Sequence, residues 1–168
     1  MLGKQVELYP DIVKRQYEEG HFLGNHTYSH NNSKIFSSIN SFLSEIKKTD
    51  ILIGKAIGNE NFSSHVFRFP NGSTSKLYYH QKQEMIKQLD DIDYVYVDWN
   101  ALNHDSVQKY SKAQLLKNLE KSMKGKDTVV ILMHDSGDVN NTYDILEDSI
   151  EFLKKEGYVF KTFYDLIE

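Results

Sequence analysis

The spacing of hydrophobic and polar positions alternates between two periods along the chain. Pro10 suits a first helical turn, the run DIVKRQYEE is amphipathic and Gly20 is a stop, which predicts a helix over about 10–19. The short apolar piece HFLGN reads as a strand. Between Ser38 and Ile57, residues Ile39, Phe42, Leu43, Ile46, Leu52 and Ile53 are mostly helically spaced, and Gly58 ends the run. HVFRF then reads as a strand, 76–89 as a helix, and DYVYV at 93–97 as a β-branched and aromatic strand. Ser111 is a candidate N-cap for a helix over 111–123 that carries Leu115, Leu116, Leu119 and Met123. DTVVILM is the most strand-like run and is predicted to be a buried parallel strand. A helix over about 142–156 stops at Gly157, YVFKTF closes as a strand, and FYDLIE adds a last helical turn.

Strands separated by helices of these lengths imply right-handed β-α-β crossovers, hence an α/β chain with a mainly parallel sheet or barrel. Such folds carry function at the C-terminal ends of strands. Four predicted strand ends bear reactive residues: His26 and His30 after HFLGN, Arg68 in HVFRF, Asp98 and Trp99 after DYVYV, and His134 with Asp135 after DTVVILM. Convergence of four strand ends predicts a site, where any one of them alone would not.

Each residue also has a plain structural reading. In GNHTYSH, His26 and His30 would share a face if the stretch coiled, which suits a metal ion, yet paired polar residues more often satisfy backbone. His134 alone reads as a hydrogen-bonded packing residue, and Asp135 as a cap for the next turn. Arg68 is either a snorkelling surface residue or a fixed cation that tunes a carboxylate. Trp99, the only tryptophan, is a core residue or a wall for a sugar ring, and Asp105 is an ordinary turn residue in NALNHDS. His21, His65, His80 and His104 receive no functional role.

Composition narrows the chemistry. With 168 residues, 39% hydrophobic and 12% aromatic, the chain supports one globular domain, read as 1–168, without repeat or linker. A net charge of −4 and the lack of a basic stripe argue against nucleic acid or an anionic membrane surface as partner. There is no cysteine, so a metal would be held by His, Asp or Glu, in the open histidine and carboxylate pattern of catalytic zinc. No apolar run is long enough for a membrane span, and MLGKQVELYP lacks the apolar core of a signal peptide. No G-x-S-x-G elbow is present, which disfavours a serine hydrolase of the α/β type.

Taken in order, HTYSH, FRFPNGS, DWNALNHDS and ILMHD resemble the motifs of the polysaccharide deacetylase family, also called carbohydrate esterase family four or the nodulation-protein-B homology domain. The resemblance covers nearly the whole chain. It implies a distorted (β/α) barrel that removes acetyl groups from peptidoglycan, chitin or xylan with one divalent metal, zinc being expected. By resemblance His26 and His30 are the metal-binding histidines, Arg68 orients the catalytic aspartate, Asp105 supports the catalytic histidine, and His134 is the general acid. Pro70, Asn71 and Leu132, with Trp99, fall at substrate-binding positions; Asn71 replaces the family tyrosine but keeps the backbone N–H offered to an oxyanion.

The family's T-F-D-D-G motif, which supplies the general base and the third metal ligand, does not occur here. The resemblance therefore implies an incomplete (β/α) barrel, N-terminally shortened, lacking the first strand and most of the second. Its expected consequences are weakened metal binding, impaired turnover and self-association through exposed sheet edges. Acetylated polysaccharide, peptidoglycan or chitooligosaccharide, is the expected partner. The alternative is a non-catalytic carbohydrate-binding or assembly protein that keeps the sugar groove.

Overall fold

The computed structural model describes residues 1–135 and 140–165, arranged as two compact units. The first comprises Met1–Asp98 and the C-terminal stretch from Thr162, the second Trp99–Lys161. No described helix is long and apolar enough to cross a membrane.

In the first unit, helices α1 (Gly3–Leu8) and α2 (Pro10–Glu18) pack on the long helix α4 (Ile39–Ile57). The short α3 (Asn32–Ile35) precedes α4, and strand β1 (Val66–Phe67), helix α5 (Tyr79–Asp91) and strand β2 (Val95–Tyr96) follow it. Helix α4 begins where the Ser38 hydroxyl accepts the Ser41 N–H and ends where Gly58 adopts φ 75°, a left-handed conformation that glycine enters without steric cost. Its spacing gives it two apolar sides. Phe42 and Ile46 join Ile35, Phe36, Phe67, Phe69, Met85, Leu89 and Tyr94 in an aromatic-rich core, while Ile53 packs with Val6, Val13 and Leu23 beneath α1 and α2.

Gly54 lies inside α4, where alanine would ordinarily gain about 1 kcal/mol. Here a Cβ would come 2.4 Å from the Asn59 carbonyl oxygen and 3.2 Å from the Phe62 Cβ. Gly54→Ala is therefore expected to destabilise the fold by about 1–3 kcal/mol through overpacking, checked by urea unfolding. A neutral or stabilising result would show that the 59–62 turn yields freely.

Strands β1 and β2 are parallel, pairing Val66 with Val95 and Phe67 with Tyr96. The expected strand HFLGN contracts to one parallel bridge, Asn25 to Phe67. Upstream of it, the Leu23 carbonyl accepts the Ser64 hydroxyl instead of extending a ladder. The helix expected over 76–89 starts later, at Tyr79, because Tyr78 has a left-handed φ of 57°. Helix α1 was not expected from the sequence; its single apolar anchor, buried Val6, depends on α4 for its surroundings.

In the second unit, strand β3 (Ala101–Leu102) pairs in parallel with β4 (Ile131–Leu132), and helices α6 (Lys112–Met123) and α7 (Asn140–Lys155) complete it. Ser111 caps α6 by accepting the Gln114 N–H, as its position predicts. Ala101, Leu119, Met123 and Leu153 form the core. Two sequence expectations change here. DTVVILM yields only two strand residues, and these are half-buried, because the Asn100 side chain bonds to Thr128 O and Val130 N where a longer ladder would run. YVFKTF forms no strand among its described residues: Val159 and Phe160 are exposed, and Tyr158 turns inward to the core with its hydroxyl on the Lys126 carbonyl. Of the last predicted turn, Phe163–Asp165 is a 3-10 turn, and 166–168 lie outside the described residues.

Candidate functional site

His26 and His30 are brought together by a loop rather than by a helix. Thr27 and His30 both have left-handed φ, 67° and 55°, which folds the segment back so that the rings lie edge to face with centroids 5.0 Å apart. Non-glycine residues reach this region at a cost of about 1–2 kcal/mol each, so the surroundings have to hold them there. Four consecutive N–H groups find side-chain acceptors. Thr27 N donates to Asn25 Oδ1, Tyr28 N and Ser29 N donate to Glu45 Oε2, and His30 N donates to Thr27 Oγ1.

The His26 ring is fixed from its other side. Its Nδ1 lies 2.7 Å from the Arg68 carbonyl, which can only accept, so Nδ1 carries the proton and the lone pair rests on Nε2. Burial is the main cause that lowers the His26 pKa to about 3, partly opposed by the bond to Arg68. The ring is thus neutral at ordinary pH, the form that binds a metal. Beneath it, Asn25 donates to Ile46 O and Asp50 Oδ1, and Asp50 also accepts the Tyr94 hydroxyl. Burial raises the Asp50 carboxyl above its usual range despite these donors.

After β1, Arg68 directs Nε to Val97 O at 3.0 Å and its Nη2 towards Asp98 O at 3.5 Å. The turn that follows is held on both sides. Asp98 accepts the Ser73 N–H and hydroxyl, and the wholly buried Lys82 donates to Gly72 O at 2.7 Å. Burial pushes the Lys82 ammonium pKa down, with the Asp98 charge opposing. Between these anchors Pro70 is buried and Asn71 is exposed with φ 63°.

In the second unit, Asp105 and His134 form a two-point contact. His134 N donates to Asp105 Oδ2 at 2.7 Å, and His134 Nδ1 lies 2.7 Å from Oδ1. Thr142 Oγ1 donates to Oδ2 as well. The Asp105 side chain is 2% exposed and the His134 side chain 37%, so an enclosed carboxylate orients an accessible imidazole. Leu132 is the half-buried second residue of β4, and Trp99, at the start of this unit, is part-buried.

The donor chemistry of His26 and His30 fits a divalent metal as two of its ligands. Two close imidazoles are present, and that of His26 is neutral with its tautomer fixed by a carbonyl, the usual outer contact of a metal-bound histidine. Among the described residues, no group of three or more His, Cys, Asp or Glu side chains is placed to hold a metal. Sequence reasoning did not single out Glu45, Lys82 or Thr142. Each contacts residues 10 to 37 positions away, and nothing in a local pattern marks such pairings.

In the first unit a strained loop presents paired histidines beside a parallel strand end, and in the second a histidine–aspartate couple lies at another parallel pair. Comparison with known proteins supplies the class. The polysaccharide deacetylase family model matches residues 1–97, and the chain belongs to that family. A peptidoglycan-N-acetylglucosamine deacetylase of Bacillus cereus is 30% identical over 168 residues, covering 96% of this chain and 54% of that protein. Among solved structures, a CE4 esterase of Streptococcus mutans matches with TM-score 0.84 at 27% identity over 96% of this chain and 71% of that one. The Bacillus cereus polysaccharide deacetylase Bc1974 matches with TM-score 0.81 at 27% identity, over 96% of this chain and 75% of that one. The fold is thus that of these deacetylases. The chain spans somewhat over half the length of the first curated relatives it matches.

Proposed function

We propose that this chain carries part of the machinery of a metal-dependent N-deacetylase acting on acetylated amino-sugar polymers, peptidoglycan before chitin. The observation that carries this reading is the pair of imidazoles held together by a strained loop, with His26 oriented by the Arg68 carbonyl. The family match supports it, and the named activity of the Bacillus cereus relative favours N-acetylglucosamine in peptidoglycan.

The overall reaction adds water to the acetamide carbonyl carbon, breaks the C–N bond and releases acetate and a free amine. A divalent metal, zinc by its taste for imidazole, would be held by His26 and His30 and would supply Lewis-acid polarisation of the carbonyl. Asn71, in its left-handed turn, offers a backbone N–H to the oxygen that gains charge, and Lys82 and Asp98 keep that turn from relaxing. His134, with Nδ1–H committed to Asp105, is left with Nε2 as the atom that passes a proton to the departing nitrogen. Trp99 and Leu132 are the apolar surface offered to the sugar.

The test is zinc titration of the metal-stripped protein by calorimetry, with amine release from chitooligosaccharides measured in parallel. His26→Ala and His30→Ala are each expected to weaken zinc binding at least about tenfold, since each removes one of two imidazole ligands. Unchanged affinity in both variants would dismiss these histidines as ligands. Zinc binding without any turnover would favour the non-catalytic carbohydrate-binding reading.

A further inference from the structure

We propose that Glu45 is the positioning residue of the histidine pair: its buried carboxylate clamps the two residues between His26 and His30 and sets the spacing of the imidazoles. The consequence for metal affinity rests on the reading above; the clamp itself does not.

Glu45 sits in the second turn of α4 with a side chain only 3% exposed. A buried carboxylate is costly unless it is paired and hydrogen-bonded. Here Oε2 takes the N–H groups of Tyr28 and Ser29, at 3.1 and 2.7 Å, while Oε1 pairs with Lys34 at 2.9 Å. Burial alone would raise the Glu45 pKa, but Lys34 and the Ser29 contacts outweigh it and hold the carboxyl below its usual range. The group is therefore an ionised acceptor, and both of its oxygens are committed.

The four loop N–H groups show why the clamp matters. Asn25 and Thr27 satisfy two of them from within the loop, whereas Glu45 satisfies the other two from a different element. Glu45 takes both backbone N–H groups at the middle of the loop onto α4. The Tyr28 hydroxyl on Glu7, Lys48 over the Tyr28 ring and the α1 N–H groups of Gly3 and Lys4 hold the Tyr28 side chain and the loop carbonyls, but none of them takes these two N–H groups. Thr27 and His30 flank that point in left-handed conformations, which relax if the middle is released. Metal ligands need placement within about 0.5 Å, so loss of the tie should be felt at the rings.

Glu45→Asp and Glu45→Gln separate geometry from charge. Aspartate keeps the charge but is one methylene too short; glutamine keeps the length and one oxygen able to accept both N–H groups, and its NH2 displaces only the Lys34 ammonium, which is exposed enough to turn to solvent. In the metal-free protein, with folding verified by circular dichroism, Glu45→Asp should lose amide-exchange protection at Tyr28 and Ser29 and the nuclear Overhauser contact between the two imidazoles. Glu45→Gln should keep both. In the zinc titration, Glu45→Asp is expected about tenfold or more below the parent, and Glu45→Gln within about threefold, the scale seen for outer-sphere residues. Unchanged exchange and ring contact in Glu45→Asp would overturn the proposal. So would equal losses in the two variants, which would show that keeping the reach does not hold the loop. If the parent binds no zinc the metal reading fails, and the exchange and ring-contact results decide the clamp by themselves.

Discussion

Phe69→Ala is expected to lower the free energy of unfolding by about 3–5 kcal/mol, the range for removing a large aromatic side chain from a packed core. Phe69 has no exposed surface, and its ring meets four others: Phe67 at 4.8 Å, Phe42 and Tyr96 at 5.9 Å, and Phe36 at 6.3 Å between centroids. These neighbours come from α4, β1, β2 and the end of α3, so they cannot all close the same void. The residue also lies between Arg68 and Pro70, and its carbonyl accepts the Gly72 N–H. A collapse around the cavity would therefore disturb the turn that presents Asn71. Urea unfolding is the measurement, with Phe160→Ala as the control, since Phe160 is 53% exposed and should change stability by less than about 0.5 kcal/mol. A loss below about 1.5 kcal/mol at Phe69 would mean that the cluster is loosely packed.

The parts of this fold that were legible in the sequence are those decided by neighbours in the chain. Ser38 and Ser111 cap helices because their hydroxyls reach N–H groups three residues on, and Gly58 ends α4 because glycine enters the left-handed region readily. Strand lengths were not legible, since pairing partners lie far away. At Asn100 a side chain takes backbone bonds that a longer β3–β4 ladder would otherwise use. The spacing of His26 and His30 marks two imidazoles that do lie close together, for a reason the structure replaces. A helix would put them on one face, yet the observed closeness comes from left-handed Thr27 and His30 and from acceptors on Asn25, Thr27 and Glu45. Asp105 looked like a turn residue on composition and gained a role only by resemblance. Its contact with His134 spans 29 positions, and Thr142 reaches the same carboxylate from 37 positions away.

That couple carries the largest effect expected on turnover. On the proposed reading, His134→Ala and Asp105→Asn should each reduce deacetylation about 10²–10⁴-fold, the usual contribution of a positioned proton donor. The argument for His134 is direct: its Nδ1–H faces a carboxylate that can only accept, so Nε2 is the free proton-exchanging atom on an accessible ring. For Asp105 it is geometric. Its two oxygens receive three donors, and an amide in its place has one oxygen and must turn N–H towards at least one donor. The imidazole then rotates or changes tautomer. Because both substitutions remove one function, the double variant should be no slower than the slower single one within a few-fold, as for groups that act as a unit. Amine release from chitooligosaccharides, taken as the ratio of variant to parent, gives the answer together with a melting curve. Both variants should melt below the parent, Asp105→Asn because it leaves buried donors unpaired and His134→Ala because one oxygen of a 2%-exposed carboxylate loses its ring partner, so turnover is compared well below either midpoint. Undiminished turnover in His134→Ala would remove this histidine from the chemistry, and multiplicative losses in the double variant would show that the two residues act separately.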